Sequence, residues 1–484
     1  MQQAKGCGSV PKLRAMHSSR VSLWAVASLT VSPLLLCSPG AKALEPVELL
    51  GKNIFFDDSL SIPNHHQACA SCHDAAKGGI LPDSTINATT VVAPGAAPHA
   101  LGSLKPPMNA YAAFVPSFRQ FPGSSGWQGG NFWDGRAEGC GKSAAVPNPP
   151  CPIGDGGVSE TIKWADLPVQ FQNTGSTGYV RFLGPAADQA LNPFPNEVEQ
   201  NTREKAVCQQ VKTAKYKALY QQAFGEAVNC NTQGNPAPYE ISYRRIAVAA
   251  AAWQASDDLS SFSSRRDTDI RDGDHFPLAS LTDEENLGHD IFHGLNTTGR
   301  NRIVNDRPLN ANCSRCHNGV PPGDPTDLIG EAEHQLYSDS RFRNIGVPFN
   351  RDIPGVAKGE KRGLASHVTT EVGGLFKTPI LRNVAKGASA SFTKAYAHNG
   401  YFKSLKQIVH FYNTRDVLDK CEAKGIVNAT AAEATAPKNN CWPEPEFSNP
   451  AKGIVGDLGL SSAEEDAIVA YLGTLSDEHT PTQP

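Results

Sequence analysis

Long apolar runs, basic stripes and methionine are all scarce in this chain of 484 residues. Past residue 43 no uninterrupted apolar stretch approaches the roughly 20 residues a helix needs to cross a bilayer, so the rest of the chain is expected to be soluble. Formal net charge is only -4 and no segment concentrates lysine and arginine, which leaves nucleic acid binding without support. Aromatic residues make up 8%, against 43 glycines and 36 prolines. That balance disfavours extended regular sheets and predicts short elements joined by long loops. Methionine occurs three times, as Met1, Met16 and Met108, so no thioether is on offer anywhere in the C-terminal half.

Cysteine and histidine are what the chain does have, with 12 Cys and 14 His. Cys69-Ala70-Ser71-Cys72-His73 and Cys313-Ser314-Arg315-Cys316-His317 are two copies of Cys-x-x-Cys-His, the attachment signature of c-type haem. Two thiols at this spacing reach both vinyl groups of one porphyrin, and the adjacent histidine becomes the proximal iron ligand. Chance would produce one such pentapeptide in roughly one of a hundred chains of this composition. A zinc knuckle or a thioredoxin-type dithiol is the blander reading. Two covalently bound haem c groups are therefore expected, held by Cys69, Cys72 and His73 and by Cys313, Cys316 and His317.

The N-terminus fits this expectation. Lys5, Lys12, Arg14 and Arg20 precede an apolar run from Val21 to Leu36, and Ala41-Lys42-Ala43 follows. The pattern predicts a secretory signal peptide over residues 1–43 and a periplasmic location. Lipid attachment at Cys37 is the minor alternative, because Leu36 is larger than a lipoprotein site prefers. Setting aside Cys7, Cys37 and the haem cysteines leaves Cys140, Cys151, Cys208, Cys230, Cys421 and Cys441. Local spacing suggests 140 with 151, 208 with 230 and 421 with 441, although sequence cannot choose the connectivity; an oxidising compartment makes such bridges plausible.

Each haem motif has a similar lead-in, Leu50-Gly51-Lys52-Asn53-Ile54-Phe55-Phe56-Asp57 before the first and Leu281-Thr282-Asp283-Glu284-Glu285-Asn286-Leu287-Gly288-His289-Asp290-Ile291-Phe292 before the second, a weak internal repeat. Thr282 with Glu285 has the capping-box spacing. Segments 204–224 and 241–259 read as helices, and 461–475 as a closing amphipathic helix capped by its Ser-Ala-Glu-Glu start. Residues 139–173, rich in proline and glycine, read as a loop insertion stapled by Cys140 and Cys151. The polar run 260–274 reads as a boundary. The expected fold is mainly α, with two cytochrome c-like haem domains and long loops, an N-terminal domain over 44–260 and a C-terminal one over 275–484.

With both haem motifs, Phe132-Trp133-Asp134-Gly135-Arg136, Phe376-Lys377-Thr378-Pro379-Ile380-Leu381-Arg382-Asn383-Val384, Tyr396-Ala397-His398-Asn399-Gly400 and Phe411-Tyr412-Asn413, the chain resembles the bacterial dihaem cytochrome c peroxidase and MauG family. That resemblance implies a peroxidatic N-terminal haem, an electron-relaying C-terminal haem, and Trp133 as the tryptophan between them. Outside its Trp-Asp-Gly-Arg context a lone tryptophan is more often core filler. Asp134 and Arg136 would brace the turn or a haem propionate. A carboxylate that moves the peroxide proton falls at Glu197 or Glu199, depending on how 192–200 is aligned, with a slight preference for Glu197; the competing reading makes both exposed caps of the helix near Thr202. His99 lies where the family often has a loop histidine able to ligate the first iron, so it is a candidate metal ligand beside His73 and His317, with a surface histidine as the equally weighted alternative. His65 and His66 read as solvent-facing.

The departures carry information too. Where family peroxidases place methionine between the tyrosine and histidine, this chain has Ala397, which excludes His/Met ligation there and points to an open site or to Tyr396 or His398. Lys105 stands near the place of an asparagine that the family associates with inter-domain calcium, so calcium is left open and not expected. The first function reading is a periplasmic peroxidase reducing hydrogen peroxide with electrons from a small donor such as a cytochrome c or cupredoxin. A MauG-like oxidase acting on a protein or organic substrate is the second, strengthened by Ala397. A non-catalytic electron carrier or haem sensor is the third. Homodimerisation is left open.

Overall fold

The computed structural model describes residues 43–64, 66–120, 126–139, 184–295, 311–321, 324–325, 327 and 330–484. The signal peptide reading, His65 and the proposed Cys140–Cys151 staple lie outside the described residues. Within them the chain is mainly helical, and its named strands form only two small antiparallel pairs, 119–120 with 127–128 and 342–343 with 376–377. This is the pattern expected of a glycine- and proline-rich sequence.

The two lead-ins become the same packing unit. Helix Pro46–Phe56 crosses helix Pro238–Ala255, and helix Asp283–His293 crosses helix Ser462–Gly473. At each crossing a glycine makes the contact. A Cβ on Gly51 would lie 1.8 Å from the Ala249 carbonyl oxygen, and one on Gly288 would lie 2.0 Å from that of Ala467. Only a residue without a side chain lets the backbones approach so closely. Four residues on, Phe55 and Phe292 then reach the two haem-motif cavities.

Two hydrophobic cores follow from these crossings. The first joins Leu50, Ile54, Tyr111, Val207, Tyr243 and Trp253; the second joins Ile291, Phe292, Tyr337, Phe411, Trp442 and Tyr471. The predicted capping box of Thr282 and Glu285 is present, as is that of Ser461 with Glu464. Disulfides join Cys208 to Cys230 and Cys421 to Cys441.

Two expectations need correction. The helix expected over 204–224 is two helices, Glu204–Thr213 and Lys217–Phe224, because Ala214 turns extended at ψ 153°. The polar run 260–274 is not a bare linker. It contains helix Arg265–Arg271, capped by Ser264, with Arg266 and Asp267 fully buried. Asp267 accepts hydrogen bonds from both terminal nitrogens of Arg382, at 2.5 and 2.7 Å, and so fastens this helix to the 381–384 segment.

Candidate haem and peroxide site

Both Cys-x-x-Cys-His motifs fold as the same tight turn. Each begins with a 3-10 turn, and the histidine N–H donates to the first cysteine's carbonyl at 3.0 Å in both. The turn gathers two thiols and one imidazole on the wall of a cavity, of about 1190 Å³ at Cys69, Cys72 and His73 and about 1720 Å³ at Cys313, Cys316 and His317. Both are lined mostly by apolar side chains around the two thiols and the imidazole, a setting that suits a large flat macrocycle.

The donor chemistry fits haem. His73 Nδ1 is paired with the Gly79 carbonyl at 3.0 Å and His317 Nδ1 with the Tyr337 carbonyl at 2.7 Å, which assigns the proton to Nδ1 and leaves Nε2 as the metal-binding nitrogen. Burial lowers the His73 pKa and takes that of His317 to about 4, so both rings are in the neutral, ligating form. Burial also pushes the thiols of Cys69, Cys72 and Cys313 up to about 12. A zinc knuckle needs thiolates, which such burial disfavours; a neutral thioether suits it. Among the described residues no three His, Cys, Asp or Glu side chains converge as a metal cage.

Trp133 is 9% exposed and lines both cavities. Its indole N–H donates to the Lys105 carbonyl at 2.8 Å, and its own carbonyl accepts the Lys377 N–H at 3.1 Å. Positive φ at Phe132 (62°) and Gly135 (81°) turns the chain sharply around it. Asp134 and Arg136 brace this turn, bonded to each other at 3.0 Å, and Arg136 lies over the Phe132 ring at 3.7 Å.

Glu199 and Glu197, two residues apart, have different surroundings. Glu199 lines the first cavity, while Glu197 is exposed and outside it. The turn from Asn192 to Gln200 sets the difference: the Glu199 carbonyl accepts from Ala96 at 2.7 Å, that of Gln200 from Ile62 at 3.0 Å, and the Asn196 side-chain amide donates to Glu199 Oε1 at 2.9 Å. Burial raises the Glu199 pKa, an effect that Arg136 partly offsets. The preference for Glu197 is therefore reversed, since only Glu199 is brought to the cavity. His99 takes the surface position, one of its two readings. It sits exposed at φ 65° on the hairpin closed by Pro94 and Leu101, outside the cavity lining, and is not brought to His73. His66 is exposed, as expected.

In the second cavity Ala397 is flanked by Tyr396 and His398, and Tyr412 lines the wall as well. His398 stacks on Phe376 at 3.4 Å between centroids and lies 4.0 Å from Glu446; burial lowers its pKa. Burial raises the pKa of both tyrosines. Residues that sequence did not single out complete the walls: Met108 and Lys377 line both cavities, and Lys394 the second. Burial takes the pKa of Lys105 to about 8 and that of Lys377 to about 7. A lone lysine in a sequence carries no mark of burial, so only its place in the Phe-Lys-Thr-Pro block hinted at Lys377.

The model of the di-haem cytochrome c peroxidase family matches residues 45–275. The methylamine utilization protein MauG of Paracoccus denitrificans is 28% identical over 463 residues, covering 92% of this chain and 94% of that protein. Among solved structures, the diheme peroxidase BthA of Burkholderia thailandensis shares the fold with a TM-score of 0.57 at 22% identity, over 92% of this chain and 94% of that one. A MauG-like protein associated with microbial copper homeostasis shares it with a TM-score of 0.52 at 20% identity, over 95% and 98%. A family match that begins at the helix before the first haem motif, and a MauG relative that runs through both halves, agree with the paired cavities: the N-terminal half of the chain matches the di-haem cytochrome c peroxidase family, and the chain as a whole is similar to MauG.

Proposed function

We propose that the chain reduces hydrogen peroxide to water at the cavity of His73, with electrons supplied by a small donor protein through the cavity of His317 and Trp133. The observation that carries this reading is the pairing of a half-buried carboxylate, Glu199, with the first cavity and of one tryptophan with both. Haem, when bound through the cysteines, supplies the iron that binds peroxide and exchanges electrons. His73 and His317 would each hold one haem iron through Nε2. Glu199 takes the proton from the inner peroxide oxygen and returns it to the outer one, so that the O–O bond breaks toward water; two electrons and two further protons complete the conversion to two waters. Its raised pKa brings the carboxyl closer to working pH, where it can both accept and release that proton. Trp133 gives the electron a polarisable aromatic step between the cavities. The leader-like N-terminus supports a periplasmic setting, where a cytochrome c or cupredoxin would be the donor.

A MauG-like second reading is favoured by Ala397. The second cavity has no methionine at this point and offers Tyr396, His398 or Tyr412 instead, which suits withdrawal of electrons from a protein or organic substrate. Stopped-flow spectroscopy separates the two. The dihaem protein is mixed with peroxide once fully ferric and once half-reduced, with reduced cytochrome c present. Rapid cytochrome oxidation is expected. A long-lived spectral change from the ferric protein, with little cytochrome oxidation, would replace the peroxidase reading by the oxidase one, and slow reaction in both states would leave neither.

A further inference from the structure

Lys105, Lys377 and Lys394 line the second cavity, and Lys377 the first as well; among the described residues their ammonium hydrogen bonds go to neutral oxygens. Lys105 Nζ donates to the Pro106 carbonyl at 3.1 Å, and Lys377 Nζ to the Gly130 carbonyl at 2.6 Å and to Asn131 Oδ1 at 3.4 Å. Lys394 Nζ donates to the carbonyls of Asn383 and Lys386, at 2.7 and 3.2 Å. Every one of these acceptors is a neutral amide oxygen. The carboxylate acting on Lys377 is Asp134, which Arg136 already engages; Lys394 instead feels the like charges of Lys105 and Lys386.

An ammonium buried without an anion is strongly unfavourable, and burial accordingly lowers the pKa of all three lysines; an anion entering with whatever fills the cavities would restore their charge. Each haem carries two propionate carboxylates. Calcium, by contrast, needs six or more oxygen ligands drawn from carboxylates, carbonyls and waters, whereas on this cavity wall the carbonyls of Pro106, Gly130, Asn383 and Lys386 already accept from ammonium groups. The lysines also flank the tryptophan: the Lys105 carbonyl holds its indole N–H, the Lys377 N–H holds its carbonyl, and the Lys105 N–H is bonded to the His398 carbonyl at 3.0 Å.

We propose that Lys105, with Lys377 and Lys394 beside it, is a built-in counter-charge for the haem propionates and stands in place of a divalent cation, so that the haem-loaded chain couples its haems without calcium. This rests on the dihaem reading, which haem counting by the pyridine haemochrome method tests separately: fewer than two haems per chain would remove that reading and leave the midpoint measurements to be made on none.

The test is spectroelectrochemical titration of the dihaem protein after EDTA treatment and again after adding calcium chloride. Wild-type midpoints should coincide in the two conditions. Lys105→Gln should lower the ratio of reduced to oxidised haem at a fixed potential by roughly tenfold for at least one haem, because losing a nearby cation favours the more positive ferric state. Lys105→Arg should restore the wild-type ratio. Wild-type midpoints that move on EDTA treatment and return with calcium would overturn the proposal, as would Lys105→Gln midpoints that match the wild type. Should Lys105→Gln fail to load two haems, the wild-type calcium comparison decides alone.

Discussion

Replacing Glu199 by glutamine keeps the side chain's length and its capacity to accept the Asn196 amide, now at 2.9 Å, and removes only its ability to take up a proton. Glu197 provides the internal control, because it lies on the same turn but is exposed. General acid–base catalysis contributes about 10²–10⁴ in rate, equivalent to roughly 3–5 kcal/mol of barrier. Glu199→Gln should therefore slow the haem absorbance change on mixing with peroxide by at least about a hundredfold, while Glu197→Gln stays within about twofold. The pH profile gives a second signature. Burial raises the Glu199 pKa, and Arg136 only partly offsets it. The wild-type rate should thus fall on acidification through a pKa above the ordinary glutamate value of about 4.3, as the carboxylate is protonated, and this acidic limb should vanish in Glu199→Gln. Rapid mixing across pH 4 to 8 measures both. A Glu199→Gln rate within about threefold of wild type, or a large loss in Glu197→Gln, would refute the assignment.

Trp133→Phe should slow electron equilibration between the haems by about tenfold or more, read after flash reduction, while the haem count stays at two. Arg382→Met removes one of the two guanidinium partners of the buried Asp267, leaving Arg266, and should cost about 1–3 kcal/mol in denaturant unfolding. Burial alone would raise the Asp267 pKa, but Arg382 and Arg266 hold it well below the usual carboxylate range. The stability this supplies is present above pH ~4 and lost as pH falls further, so the wild-type advantage over Arg382→Met should shrink in acid. Gly288→Ala drives a methyl group against the Ala467 carbonyl and should cost about 1–3 kcal/mol, visible as a lower melting temperature; Gly51→Ala should do the same to the first half.

Chemistry fixed by short spacing was legible in the sequence. The two haem turns, the Thr282 and Ser461 caps and the Cys208–Cys230 and Cys421–Cys441 bridges all depend on residues close together in the chain. The repeated Leu-Gly pair was legible as well, because a helix crossing this close tolerates only glycine. Features decided by distant contacts were not. The choice between Glu199 and Glu197 turns on hydrogen bonds to Ala96 and Ile62, which no alignment of 192–200 contains. The charged run 265–271 looked like linker because the partner of Asp267 is Arg382, far along the chain. Ala214 breaks the 204–224 helix although alanine is the best helix former, so propensity pointed the wrong way there.

The setting of Trp133 also bears on how the chain survives its own oxidant. The indole N–H is tied to a carbonyl, which is no base, so an electron hole on the ring has no group to which it can shed a proton and must leave as it came. The Lys105 ammonium, 5.8 Å from the ring, makes such a hole less comfortable still, by about 3 kcal/mol at an effective dielectric of about 20. On the proposed electron path, charge would cross this residue but be discouraged from resting on it, which would spare the indole from the hydroxylation and cross-linking that a persistent radical invites.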